Sequence, residues 1–183
     1  ALLAHRALGE RLTCVFVDTG LLRENDVIEF SAYYKGMGLN LQIIKAEEQV
    51  MAALAGKTGQ ADKRDALRHI LQEVLREFGK TLDYSLLVES KSSDYLFSNN
   101  LPSTSTSVLA QGVQTFAPLS DLFKEEIRRV GEALGLPQEM TAMQPFPFTG
   151  LALRIMGECT RERLALLRWA DAAFQHEIRE AGL

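Results

Sequence analysis

The chain has 183 residues, 46% of them hydrophobic, which is enough to bury a core in one domain. Its 20 basic side chains are outnumbered by 24 acidic ones, so a generic polyanion binder is excluded and no nucleic-acid partner is expected. Local anion sites built from backbone amides or a single arginine stay open.

No run of about 18 apolar residues occurs, so no membrane span is expected. The first nine residues carry no signal-peptide pattern. The two cysteines, Cys14 and Cys159, have no partner at metal-ligand spacing and read as reduced thiols of a cytoplasmic protein.

Ala1 to Gly9 reads as the tail of a helix whose beginning is missing, with Gly9 suited to its C-cap. Leu12 to Asp18 is a short, nearly continuous apolar run, the pattern of a parallel strand buried on both faces. A helix is predicted from Arg23 to Lys35, with Val27, Phe30 and Tyr34 on one stripe and Gly36 and Gly38 ending it. Leu41 to Ile44 is a second strand. This alternation predicts an α/β fold with a doubly wound sheet.

Gln49 to Gly79 reads as helical, with Leu67, Ile70, Leu71, Val74, Leu75 and Phe78 on one apolar face. Tyr84 to Val88 is a third strand. Lys91 to Ser107 is polar and serine-rich and reads as a loop or flap, and Gly112 to Pro118 as a short extended segment. Asp121 to Leu134 forms a helix capped by Ser120 or Asp121 and stopped by Gly135 and Pro137. Two prolines bar Gln144 to Gly150 from regular structure. A final helix runs from Thr160 to Ala181 with Leu164, Leu167, Phe174 and Ile178 as its buried stripe. Trp169 and Phe174 read as core or interface residues.

In an open α/β sheet, ligands bind beyond the carboxyl ends of the strands. The turn Asp18-Thr-Gly-Leu-Leu-Arg23 leaves the first strand there. Gly20 would let a ligand approach the backbone, and Arg23 would clamp a phosphate; an ordinary turn with a solvated arginine is the alternative. Glu89, Lys91 and Asp94 follow the third strand and suit either a ligand site or a plain polar loop. His5, His69 and His176 have no visible partner, so no catalytic residue and no metal ligand is assigned. Neither familiar glycine-rich phosphate loop occurs.

The stretch Leu12-Thr-Cys-Val-Phe-Val-Asp-Thr-Gly-Leu-Leu-Arg23 resembles the strand and turn of the ATP-pyrophosphatase (PP-loop) domain of GMP synthetase. The likeness continues through Leu3 to Gly9, Ala46 to Gly56, Lys63-Arg64, Ala117 to Pro137, Pro145 to Arg154 and Thr160 to Leu183. It implies a twisted, mostly parallel sheet with helices on both faces, of the adenine nucleotide alpha hydrolase type. It also implies ATP-dependent amination of xanthosine monophosphate to GMP, with magnesium, and with ammonia from a glutamine amidotransferase domain or subunit. A homodimer belongs to the same expectation. By the same resemblance, Val17, Asp18 and Gly20 match the ATP side of the site, and Arg23, Asp94 and Arg154 the nucleotide-substrate side.

Several motifs depart from the family. Its Ser-Gly-Gly-Val-Asp-Ser loop should lie just ahead of Ala1. Without it there is no amide cradle for pyrophosphate and no aspartate for magnesium. The strand end at Val88 to Asp94, the lid between Ser98 and Val113 and the turn at Gln144 to Gly150 also differ from the family pattern. The expectation is therefore one truncated or degenerate ATP-pyrophosphatase-like domain over residues 1–183, not competent as an isolated chain. A non-catalytic nucleotide-binding or assembly paralogue, and another ATP pyrophosphatase of NAD synthetase-like or thiolation type, are the alternatives.

Overall fold

A computed structural model describes residues 1–93, 109, 112–141 and 149–182. The chain divides into two compact units. One gathers Ala1–Leu12 and Gln72–Pro145, the other Thr13–Leu71 and Phe146–Leu183.

The second unit is built on β1 (Thr13–Asp18) and β2 (Asn40–Lys45), which pair in parallel from Thr13↔Asn40 to Asp18↔Lys45. Helix α2 (Asp26–Gly36) connects them, since parallel neighbours need a crossover. Strand β2 leads directly into α3 (Glu47–Leu54), where the Ala46 N–H donates to the Asp18 carbonyl at 2.8 Å. The long helix α4 (Gln60–Gly79) begins in this unit. A 3-10 turn at Gly150–Arg154 and the last helix, named α7 below (Arg161–Glu180), complete it. Leu21, Val50, Leu54, Leu67, Leu151 and Ala152 are all fully buried.

The other unit carries α1 (Leu2–Leu8), the far end of α4, and the parallel pair β3 (Leu86–Val88) and β4 (Gln114–Phe116). Two helices follow, α5 (Lys124–Ala133) and α6 (Gln138–Thr141). An Arg6 guanidinium nitrogen donates to the Leu134 carbonyl at the end of α5. Ser93 donates from its backbone N–H to the Leu122 carbonyl and from its hydroxyl to the Ser120 carbonyl, both at 2.9 Å.

The α/β class and the parallel pairing agree with the reading of the sequence; among the described residues the strands form two pairs, β1–β2 and β3–β4. Other readings need correction. Strand β1 is half-buried rather than buried on both faces, and Val15 is exposed, so the described elements leave part of its surface uncovered. Helix α2 begins three residues later than expected. Asn25 takes a left-handed φ of 70°, and the Asp26 carboxylate accepts from the Arg23 N–H at 3.1 Å, which keeps Arg23 in the turn.

The helical stretch after Gln49 breaks between α3 and α4. Helix α5 starts at Lys124, and the Glu126 carboxylate, not Ser120 or Asp121, reaches back to the Phe123 N–H at 2.8 Å. On α7, Leu164 is buried, but Phe174 and Trp169 are 63% and 68% exposed, which takes Phe174 off the buried stripe and leaves the interface reading of both in place of the core one. Asp94, most of the serine-rich stretch and Gln144 to Phe148 lie outside the described residues.

One buried charge bears on this unit's stability. Lys63 is fully buried on the α4 face that also carries Leu67, Leu71 and Val74. Its ammonium donates to the Ile155 carbonyl at 2.6 Å and to the Ala152 carbonyl at 3.3 Å, tying α4 to the 3-10 turn. Lys63→Met keeps the volume but strips both buried carbonyls of this donor. We expect a loss of about 1–3 kcal/mol in unfolding free energy, read from the urea midpoint.

Candidate functional site

The turn from Asp18 to Arg23 leaves the carboxyl end of β1 and is stiffened by its own side chains. The Asp18 carboxylate accepts from the Gly20 N–H at 3.0 Å, and the Thr19 hydroxyl from the Leu21 N–H at 3.2 Å. Such local bonds favour turns over continued strand. Gly20 has φ 69°, and a Cβ there would lie 2.8 Å from the Glu47 Cβ, so only glycine fits.

Three other segments hold the turn. The Leu21 carbonyl accepts from the Leu151 N–H at 2.8 Å, and a Cβ on Gly150 would strike that same carbonyl. Arg168 on α7 spreads its guanidinium over two more carbonyls, that of Leu22 at 2.9 Å from Nε and that of Gly20 at 2.6 Å. One helical turn on, Asp171 meets two arginines. Its Oδ2 lies 2.9 Å from Arg23 Nε, an ion pair, and its Oδ1 accepts from Arg154 at 3.0 Å. The Asp171 side chain is only 8% exposed.

A cavity of about 260 Å³ opens beside this turn, lined among others by Asp18, Gly20, Arg23, Asn25, Glu47 and Arg168. Typical small-molecule pockets run from roughly 300 to 1,000 Å³, so there is room for part of a nucleotide rather than a whole triphosphate. Glu47 is braced from behind by Arg161, which reaches both Glu47 and Glu48 at 2.8 Å. Burial pushes the Asp26 carboxyl above the ordinary aspartate range, outweighing the pull of the Arg23 N–H and guanidinium; the charge on Asp171 adds to the push.

The structure therefore gathers Asp18, Gly20 and Arg23 at one cavity, with Arg154 joined to Arg23 through Asp171. Val17 sits inside β1 opposite Ile44 and does not line the cavity. Asp94 lies outside the described residues. Glu89 is buried and ion-paired with Lys91 at 2.5 Å in the other unit. The sequence reading missed Asp171, Arg168, Glu47 and Asp26. Asp171 could have been found, because it falls on the same stripe of α7 as Leu164, Leu167 and Ile178. A carboxylate on a buried stripe has to be paired.

Two stability predictions come from this geometry. Gly20→Ala forces a left-handed alanine against Glu47 and should lower the unfolding free energy by about 1–3 kcal/mol in urea titrations. For Asp26, a raised native pKa means that the folded state binds the proton more tightly than the unfolded chain. Its contribution is favourable below the unfolded aspartate value near 3.9 and is lost as pH rises through the native value. Asp26→Asn keeps an acceptor for the Arg23 N–H. The variant should be more stable than wild type at pH 7, with the difference vanishing near pH 3, as followed by chemical denaturation across pH.

No family model matches the chain. Comparison with curated proteins aligns its whole length with GMP synthase [glutamine-hydrolyzing] from several bacteria. Identity is 34% for the Chlamydia muridarum protein, 37% for that of Bdellovibrio bacteriovorus and 36% for that of Aliivibrio salmonicida. The chain spans 38–39% of the length of these relatives. Over its whole length, the chain resembles a segment of GMP synthase.

Proposed function

We propose that this chain is the ATP-pyrophosphatase-like part of a GMP synthase-type enzyme. The observation that carries the reading is the alignment of the entire chain with glutamine-hydrolysing GMP synthases at 34–37% identity. The turn Asp18–Arg23, standing at the carboxyl end of a parallel strand and opening on a cavity, supports it.

On this reading ATP activates an oxygen of xanthosine monophosphate as an adenylyl ester and releases pyrophosphate. Ammonia from glutamine, delivered by an amidotransferase domain or subunit, then displaces AMP and leaves GMP. The backbone around Val17, Asp18 and Gly20 takes the adenine side. Arg23 and Arg154, with Asp94, take the nucleotide substrate, since guanidinium forks match phosphate oxygens in charge and geometry.

A magnesium ion held with a nucleotide draws on one or two protein carboxylates and the phosphates, rather than on a larger cluster among the described residues. Among them, no group of three or more His, Cys, Asp and Glu side chains is placed to hold a metal ion. No helix among the described residues is long and apolar enough to cross a membrane.

Calorimetric titration of the intact protein with xanthosine monophosphate tests the assignment. Arg23→Ala should weaken binding at least tenfold, the loss of one charge-assisted fork (about 1.4 kcal/mol or more). Unchanged affinity would take Arg23 out of the site. Absence of GMP formation by the intact protein with ATP, magnesium and glutamine would sink the enzymatic reading.

A further inference from the structure

Arg23 and Arg154 come from distant parts of the chain, yet both touch one carboxylate. Asp171 presents Oδ2 to Arg23 Nε at 2.9 Å and Oδ1 to an Arg154 terminal nitrogen at 3.0 Å. It is almost fully enclosed, while Arg154 is 43% exposed and Arg23 also lines the cavity. Two guanidiniums on one carboxylate carry like charges at close range and would separate without it. Each is also a long side chain with much rotamer freedom to lose.

Asp171 cannot easily shift to follow them. It stands one helical turn from Arg168, whose guanidinium is bonded to the carbonyls of Gly20 and Leu22. The same helix face thus fixes the turn's backbone through one residue and its arginine through the other.

We infer that Asp171 is a positioning residue that holds Arg23 and Arg154 as a preorganised pair for a phosphate-type oxyanion. This rests on the nucleotide reading above and adds the residue that makes its two arginines act together. Asp171 itself does not touch the ligand. Its effect is to spare the ligand the cost of ordering two arginines, which is how preorganisation raises affinity.

Removing the carboxylate has two opposed consequences: more net positive charge, which favours an anion, and loss of the fixed geometry, which disfavours it. The proposal is that geometry wins. The test compares wild type with Asp171→Asn and Asp171→Glu in the intact protein, with xanthosine monophosphate, xanthosine and inorganic phosphate as probes.

Asp171→Asn should weaken xanthosine monophosphate and inorganic phosphate about tenfold while leaving xanthosine unchanged, and Asp171→Glu should recover part of the loss. In the ligand-free protein, the Arg23 and Arg154 Nε–H NMR signals, sharp in wild type, should broaden in Asp171→Asn. Equal or tighter phosphate binding by the Asn variant overturns the proposal, because Asp171 is then a bystander or a competitor. An equal loss for xanthosine overturns it too, because the role is then merely structural. Wild-type protein that ignores xanthosine monophosphate yet binds inorganic phosphate in an Asp171-dependent way removes the nucleotide reading and keeps the arginine pair. Wild-type protein that binds no phosphate removes the pair.

Discussion

A carboxylate with 8% of its side chain exposed has lost most of its water and must be compensated where it sits. Asp171 is compensated twice, by Arg23 and by Arg154. Much else in this unit follows from that demand. Arg23 belongs to the turn leaving β1, and Arg154 ends the 3-10 turn at Gly150–Arg154. Asp171 therefore binds α7 to both turns at once. Helix α7 cannot slide or rotate without pulling on the site, because Arg168 holds the carbonyls of Gly20 and Leu22 from the same face.

A second chain of contacts reaches the same turn from the core. The buried ammonium of Lys63 fixes the carbonyls of Ala152 and Ile155. The segment so fixed supplies the Leu151 N–H that bonds the Leu21 carbonyl, and Gly150 lies so close that a methyl group would not fit. The turn is thus placed by backbone bonds on one side and by ions on the other. Backbone bonds alone would set its path but leave Arg23 free to wander. The ion pair alone would set Arg23 but not the carbonyls beside the cavity.

The order of elements was legible in the sequence because periodicity reports the covered face, and helices and strands differ in period. The turn Asp18–Arg23 was legible too, through its position after an apolar run and its glycine. What escaped were the charged residues on covered faces. Lys63 shares a face of α4 with Leu67 and Leu71, and Asp171 shares a stripe of α7 with Leu164 and Leu167. Stripe-reading skips such positions as noise, although each is a signal that a distant partner exists. The partner itself is invisible in one sequence: nothing in the local pattern near Asp171 names Arg23 or Arg154. The placing of Phe174 on the buried stripe failed for the opposite reason. Phe174 lies at helical spacing from Leu164 and Leu167 yet is exposed, as is Trp169, since amphipathic spacing does not say which apolar stripe is the covered one.

On the proposed reading, the charge balance of the site bears on how an acidic chain would suit an anionic ligand. Net charge is −4, and the cavity itself carries Asp18 and Glu47. Arg161 is shared between Glu47 and Glu48, and the Asp18 carboxylate is turned onto the Gly20 N–H. Arg168 has its guanidinium on backbone carbonyls, which carry no net charge, so its positive charge is not cancelled by that bonding. Burial raises the pKa of Asp26, beside Arg23, above the ordinary aspartate value. Attraction for phosphate then depends less on how many basic residues the chain has than on which acids are already engaged. On the proposed reading, selectivity comes from geometry, with the ligand's oxyanion met where Asp171 holds Arg23 and Arg154.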